Sequence, residues 1–391
     1  MSMRFAGIDV GSQTHVVAVL DEAGQVLVKP TPFGEDAAGY ERLFRILGTP
    51  EELLIAMEAT GHYGRNLFRA LAQRGFTMTV LNPLRTRRFA EEDLTRAKTD
   101  SIDALGIARF AAQKKPPATP PTDTATDELR ELVRLHDRLD QDFCDRVRQL
   151  HRLVDLCFPE FTRHVRTLDS RLARAVLREY PTAEAFSESC LGRLAKLRYD
   201  GRHMVGKDLA RELVDAARLS VGRHQGLVYR SQVRYVCSDL EALSEKIREL
   251  GSDIESRARD HPIASLITSI DGLGLLTAAR IVAAVGDPAR FRHAGAFAAY
   301  VGVVPGTSRS GLHRPGQAPL CPLGNARLRK ALYMPVLGAV RRNPWLRPYY
   351  ERLRERGKRP KVALIAAMRK LLTAIYSVCK HQRPFTISSS T

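Results

Sequence analysis

The sequence predicts a mixed α/β domain at its N-terminal end, followed by a mainly helical remainder. Three observations lead there. Residues 4–31 alternate apolar and polar side chains between glycine-marked turns, strand-like and helix-like patterns then take turns through residue 82, and from Leu132 onward apolar residues return at helical intervals.

Taken in order, RFAGIDVGSQTHVVAVLDEAGQVLVKPT reads as three consecutive short strands, separated at Gly11 and by the turn at Asp21–Gly24. A helix near 36–47, a strand LLIAME at 53–58, a helix at 62–74 and a strand TMTVLN at 77–82 complete a sheet covered by helices. KKPPATPPTDT at 114–124 has the composition of a semi-rigid linker that closes this domain. In the middle of the chain, Leu240, Leu243, Ile247, Leu250 and Ile254 repeat with 3-4-3-4 spacing. Leu132, Leu139, Phe143, Leu150, Leu153 and Cys157 follow it less perfectly, with His136 and Arg146 in the seam. Two long helices packed on each other, or on another subunit, explain both series. In SLITSIDGLGLLTAARIVAAVG, Gly272 and Gly274 break an apolar helical pattern into a helix, a tight turn and a second helix. Such a hairpin is either an ordinary αα pair or a helix-hairpin-helix element that offers backbone N–H groups to phosphate.

The charge is unevenly placed. The chain carries 61 Lys and Arg against 43 Asp and Glu, yet residues 281–391 hold 20 basic groups and only three acidic ones, Asp287, Glu351 and Glu355. That last quarter therefore carries +17 while the rest is nearly neutral, a field that attracts a polyanion. Arg327, Arg329, Lys330, Arg341 and Arg342 are the expected phosphate contacts, whereas Trp345, Tyr349 and Tyr350 read more naturally as helix-junction packing than as base-stacking platforms. Apolar runs such as Val362–Met368 are short for a bilayer, so nucleic acid rather than membrane is the expected partner. MSMRFAGIDV lacks the features of a secretion signal, and cysteines at 144, 157, 190, 237, 321 and 379 show neither disulfide nor zinc spacing, which suits reduced thiols in the cytoplasm.

Four carboxylates stand out. Asp9 ends the first strand and Glu58 the fourth, so adjacent parallel strands would bring both to one edge. Asp100 and Asp103, in AKTDSIDALGIARF, are i,i+3 neighbours in a first helical turn, with Arg96 and Lys98 just before them. Acids there commonly do no more than favour the helix dipole. Converged with two strand-end acids, they would instead form an all-oxygen site suited to Mg²⁺ or Mn²⁺, and a pair of such ions can clamp a phosphodiester.

At these residues the sequence resembles a known family. RFAGIDVGSQTH, AMEATGHYG and AKTDSIDA are similar to the RuvC-like, RNase H-fold domain of the DEDD insertion-sequence transposases, relatives of the Piv-type DNA invertases. The resemblance implies an α/β RNase H-like N-terminal domain, a long helical coiled-coil region and a mainly α C-terminal transposase domain with a helix-hairpin-helix-like element. Boundaries fall at 1–120, 121–260 and 261–391. It places metal-binding, catalytic roles on Asp9, Glu58, Asp100 and Asp103. VGVVPGTSRSG followed by LGNARLRKALYM resembles the second domain of the same enzymes, whose catalytic serine precedes a glycine; Ser310 matches it, beside Arg309, with Ser308 as the alternative. From the residues alone, a serine in a Gly/Pro-rich loop is usually a turn former, though attack by it on phosphorus would conserve the ester's energy without a nucleotide.

The family further implies donor and target DNA, a structured non-coding guide RNA, a homo-oligomer (a dimer or a dimer of dimers), and a composite site in which one subunit's carboxylates act with another's serine. Three rival readings stand beside this one. The first strands also resemble the phosphate hairpin of actin-like sugar kinases, but no second phosphate loop or adenosine motif follows. A RuvC-like Holliday-junction nuclease using metal-activated water is separated from a serine recombinase by product chemistry, since hydrolysis leaves no protein on DNA. A non-catalytic nucleic-acid-binding protein is separated by substitution, since Asp9→Ala or Ser310→Ala abolishes strand exchange only in an enzyme.

Overall fold

The computed structural model describes residues 3–59, 61–92, 100–304 and 324–386. It divides into two compact units, 1–122 and 123–391.

In the first unit, strands β1 (Arg4–Asp9), β2 (Thr14–Leu20), β3 (Val26–Gly34), β4 (Leu53–Glu58) and β5 (Thr77–Leu81) form one sheet in the order β3-β2-β1-β4-β5. The first three are joined antiparallel by short turns, and β4 and β5 add in parallel on the other side of β1. Parallel addition needs crossovers, which the helices supply. These are α1 (Ala37–Leu47), between β3 and β4, and α2 (Gly64–Gln73), between β4 and β5; α3 (Pro83–Glu92) and α4 (Asp100–Lys114) follow the last strand. The central strands are covered on both faces, which is why FAGI and LLIAM are apolar throughout rather than alternating.

Ala6, Ile8, Ile55 and Met57 pack with Leu43, Leu47, Leu67 and Leu71 of α1 and α2. On the other face Phe5, Leu54 and Ala56 meet Phe89 of α3 and Ile107, Phe110 and Ala111 of α4. Each fully buried Leu, Ile or Phe here contributes about 1.5–3 kcal/mol. Gly7 lets α4 come unusually near. A β-carbon built on Gly7 would stand 2.2 Å from the Ala104 carbonyl oxygen and 2.4 Å from the Ala108 nitrogen. The proline-rich 114–124 segment is not a free linker: Thr119 N–H donates to the Met78 carbonyl (2.7 Å), and its hydroxyl accepts from Val80 N–H (2.9 Å). It thus occupies the open edge of β5, where an unpaired strand is a liability.

The second unit is built on two 34-residue helices, α5 (Thr124–Cys157) and α11 (Leu227–Asp260). Five short helices, α6 to α10, lie between Phe161 and Arg218, and among the described residues these α-helices follow: α12 (Pro262–Thr268), α13 (Leu275–Val285), α14 (Ala294–Val301), α15 (Ala326–Arg342), α16 (Arg347–Glu355) and α17 (Pro360–His381). Asp123 starts α5 by accepting from Thr126 N–H at 2.8 Å.

The long pair runs antiparallel. Leu129 and Val133 share a core with Ile254 and Ala258, whereas Leu150, Leu153 and Val154 share another with Val233, Val236 and Leu240. The first core is completed by α12 to α17, the second by α6 to α10. Between them, residues 137–149 and 241–253 contain no fully buried side chain, so Leu139, Phe143, Leu243, Ile247 and Leu250 of the expected seam are only half-covered.

α17 is longer and more apolar than the sequence reading allowed, enough by length and composition to cross a membrane. Its apolar side chains, among them Leu364, Met368, Leu371 and Ile375, fill the C-terminal core. The five described cysteines are free thiols.

Two outcomes follow. Gly7→Ala forces α4 off the sheet and costs about 3 kcal/mol, read as a lower urea midpoint with unchanged slope. His136 and His261 are buried, and burial holds both below their ordinary value; at His136 the Arg280 guanidinium adds to this, with Asp137 and Asp140 opposing. Below about pH 6.5 the unfolded histidines take protons that the folded ones resist. Stability is therefore full above that pH and falls as pH drops through it, and His136→Gln flattens the slope in pH-dependent melting.

Candidate catalytic site

Asp9 and Glu58 close two neighbouring parallel strands. The register pairs Ile8 with Met57, which sets the two acids side by side one residue further on. Strand alternation puts both on the side of Phe5, Leu54 and Ala56, the face covered by α3 and α4. Both are half-buried.

α4 runs against β1. Its beginning, Ala104, packs on Val16 and Ala18, which pair with Asp9 and Gly7, whereas Ala111 lies toward Phe5 at the other end of the strand. The first turn of α4 is therefore at the strand ends that carry Asp9 and Glu58. Half-buried Asp103 shares a helix face with Ile107 and Phe110, both buried against the sheet. Asp100 begins the helix three residues earlier.

Glu58 is held from the side. The Thr86 hydroxyl of α3 lies 2.5 Å from Glu58 Oε1 and 3.0 Å from the Pro83 carbonyl, and Thr86 is itself buried. Sequence reasoning missed this residue because nothing in PLRTRRFAEE distinguishes Thr86 from a surface helix residue.

A second network, also unforeseen, braces the opposite face at the same sheet end. Glu35 accepts from the Tyr40 hydroxyl (2.6 Å) and Asn66 (3.1 Å), and it meets His15 Nε2 at 2.7 Å. Burial works against its ionisation, but these hydrogen bonds outweigh it and hold the carboxyl below its ordinary range. Burial and the adjacent carboxylate together push the Tyr40 phenol up.

The donor set suits a hard divalent cation in kind, being carboxylate oxygen on one face of one sheet end. Among the described residues, no three His, Cys, Asp or Glu side chains stand close enough to hold a metal ion, and the Asp100 side chain lies outside them. Arg96, Lys98, Ser308, Arg309 and Ser310 also lie outside the described residues.

The ends of the segment that carries Ser310 are described. A β-carbon on Gly324 would come within 2.6 Å of the Gly302 Cα, so glycine is required there, and Asn325 N–H donates to the Tyr300 carbonyl at 2.7 Å. Asn325 also caps α15 through Leu328 N–H (3.0 Å). Arg329, expected at a phosphate, directs Nη1 at the Val301 carbonyl (3.2 Å) and the Gly302 carbonyl (3.4 Å), because those groups end α14 without helical partners. Arg327, Lys330, Arg341 and Arg342 are exposed.

The Gly272–Leu273–Gly274 turn joins α12 to α13, with Gly272 at a φ of +91° against Ala339 and Asn343 donating to the Asp271 carbonyl (2.6 Å). Trp345 and Tyr349 pack the helix junction, with Lys370 Nζ over both rings at 5.5 and 4.5 Å.

The DEDD transposase model of the IS110 type matches residues 6–159, and the model described as transposase IS116/IS110/IS902 family matches residues 264–351. The chain is 28% identical to the 43.6 kDa protein of insertion element IS110 from Streptomyces coelicolor, over 96% of this chain and 94% of that one. It is likewise 28% identical to the 44.8 kDa protein of insertion element IS116 from Streptomyces clavuligerus, over 98% and 96%. It is 25% identical to the pilin gene-inverting protein of Moraxella bovis, over 85% and 82%. With one family model over the sheet and its acids and another over the hairpin and the serine segment, the chain belongs to the IS110/IS116 family of transposases, enzymes that act on DNA.

Proposed function

We propose that this protein excises and inserts its own insertion sequence as a site-specific recombinase, in which Ser310 attacks a DNA phosphate and a structured non-coding RNA selects donor and target. The observation that carries this reading is the meeting of Asp9, Glu58 and the first turn of α4 at one end of the sheet. The strand order, three antiparallel strands extended by two parallel ones, supports a RuvC-like, RNase H-like domain over 1–120. A helical, coiled-coil-like region over 121–260 and a C-terminal transposase domain over 261–391 complete the proposed division.

Asp9, Glu58, Asp100 and Asp103 would hold Mg²⁺ or Mn²⁺, which supplies neutralisation and polarisation of the phosphate when bound. Thr86 fixes the Glu58 carboxylate so that it need not reorganise during reaction. Attack by Ser310 Oγ forms an O–P bond as one deoxyribose oxygen leaves, and attack of a new strand's hydroxyl on that phosphoserine restores the diester. Arg329, with the glycines at 302 and 324, fixes where the serine segment leaves and re-enters the helical core. The exposed cations of α15 meet nucleic-acid backbone, and the half-covered seam of α5 and α11 favours a homo-oligomer.

The test combines purified protein, RNA transcribed from the element's ends, Mg²⁺ and labelled donor and target DNA, and looks for a covalent protein–DNA adduct on a denaturing gel. The adduct should disappear in Ser310→Ala, in Asp9→Ala and on chelation of the metal. Cleaved DNA with no adduct would point to a RuvC-like nuclease using water, and binding with neither to a non-catalytic protein. Thr86→Val should lower strand exchange about tenfold through loss of one hydrogen bond to a charged group, with nucleic-acid binding unchanged. Arg329→Ala should lower exchange while Arg329→Lys restores part of it, measured at equal protein stability.

A further inference from the structure

The helical module between α5 and α11 lies between the two stretches matched by the family models, and it carries a charge pattern the DNA chemistry above does not use. Over 158–226, all of the module's positive excess falls in residues 193–211, which hold six basic side chains against Asp200 and Asp208; the remainder is balanced, seven against seven. Those residues span the end of α9 (Leu191–Ala195), a short two-stranded arm and the start of α10 (Lys207–Arg218). The arm pairs Arg198 with Met204, is held at its base by Gly206 N–H to the Ala195 carbonyl (3.0 Å), and is anchored by buried Leu194 and Val205.

The tip is rigid. Asp200 accepts from the backbone N–H groups of Arg202 (3.0 Å) and His203 (2.7 Å) and meets His203 Nδ1 at 2.6 Å. Gly201 takes a φ of +81° at the turn, and Arg198 Nη1 donates to its carbonyl (3.2 Å). One of the two local acids is thereby engaged within the turn, and Asp208 sits in the first turn of α10, where it favours the helix dipole. The Tyr199 and His203 rings lie nearly parallel, 6.0 Å apart.

Arg193, Lys196, Arg198, Arg202 and Lys207 are all exposed, and none has an ion-pair partner among the described residues. On the long helices the arrangement is different: Arg134, Arg138, Arg146, Arg148, Arg248 and Arg257 are each paired with a carboxylate. A pre-set turn bearing unpaired cations beside a stacked aromatic pair suits a phosphodiester backbone, since phosphate neutralisation drives such binding.

We infer that the 193–211 arm is a nucleic-acid-backbone contact, at the opposite end of the long helix pair from the C-terminal basic core. This contact is independent of serine chemistry. The test titrates salt against binding of the full chain to a labelled random-sequence DNA duplex and, separately, to an RNA hairpin of equal length. The variant is Lys196→Gln/Arg202→Gln/Lys207→Gln. If all three meet phosphates, the slope of log affinity against log salt falls by about 2–3, with affinity at least tenfold weaker near 0.1 M salt. The charge-preserving Lys196→Arg/Arg202→Lys/Lys207→Arg keeps the parent slope. Loss confined to one ligand assigns the arm to DNA or to RNA. An unchanged slope with both ligands, at an unchanged melting temperature, overturns the inference. The recombinase reading is judged by the covalent adduct and not by these binding slopes, so its failure and the failure of this inference would be seen separately.

Discussion

The approach of α4 to β1 at Gly7 is the contact on which the first unit is organised. A helix normally stands off a strand by the length of its side chains. Here the helix backbone rests on the strand backbone, because Gly7 offers no side chain and Ala104 and Ala108 offer small ones. That fixes both the depth and the direction of α4, and with them the place of its first turn above the ends of β1 and β4. The opposite face is braced independently by Glu35 with His15, Tyr40 and Asn66, so the strand ends are held from two sides.

Much of this is legible in the residues. The three opening strands, the crossover pattern and the placement of Asp9 and Glu58 at strand ends follow from periodicity and turn chemistry, which are local. The break at Gly272–Gly274 is local as well, and so is the long helical spacing of the middle region. What could not be read depends on contacts between distant segments. Thr86 and Arg329 look like ordinary polar members of helices, and only the fold shows that one grips Glu58 and the other the end of α14. The proline-rich 114–124 stretch carries the composition of a spacer, yet Thr119 pairs with β5 because that edge is left open by the strand order. The apolar length of α17 is masked in the sequence by Arg369 and Lys370, which interrupt it, and only the core it fills shows what the rest of the helix is for.

The second unit shows a division of labour among arginines that composition conceals. Along the long helices they are matched by acids three or four residues away or on the facing helix, which keeps those surfaces near neutral. In the C-terminal quarter, and on the arm near Arg198, acids are scarce and guanidinium groups face outward. Even there, Arg329 is used internally, so proximity to a basic cluster does not by itself identify a phosphate ligand.

Neither α5 nor α11 belongs to a single core: each begins in one and ends in the other. A straight helix of 34 residues is about 50 Å long, and two of them clamped antiparallel resist bending far better than a loop of similar reach. The pair therefore acts as a beam. A tilt of only about 5° at one core would carry the other through roughly 4 Å over that length, about the width of one base-pair step. A rotation at the C-terminal core would thus be felt at the distal module as linear travel.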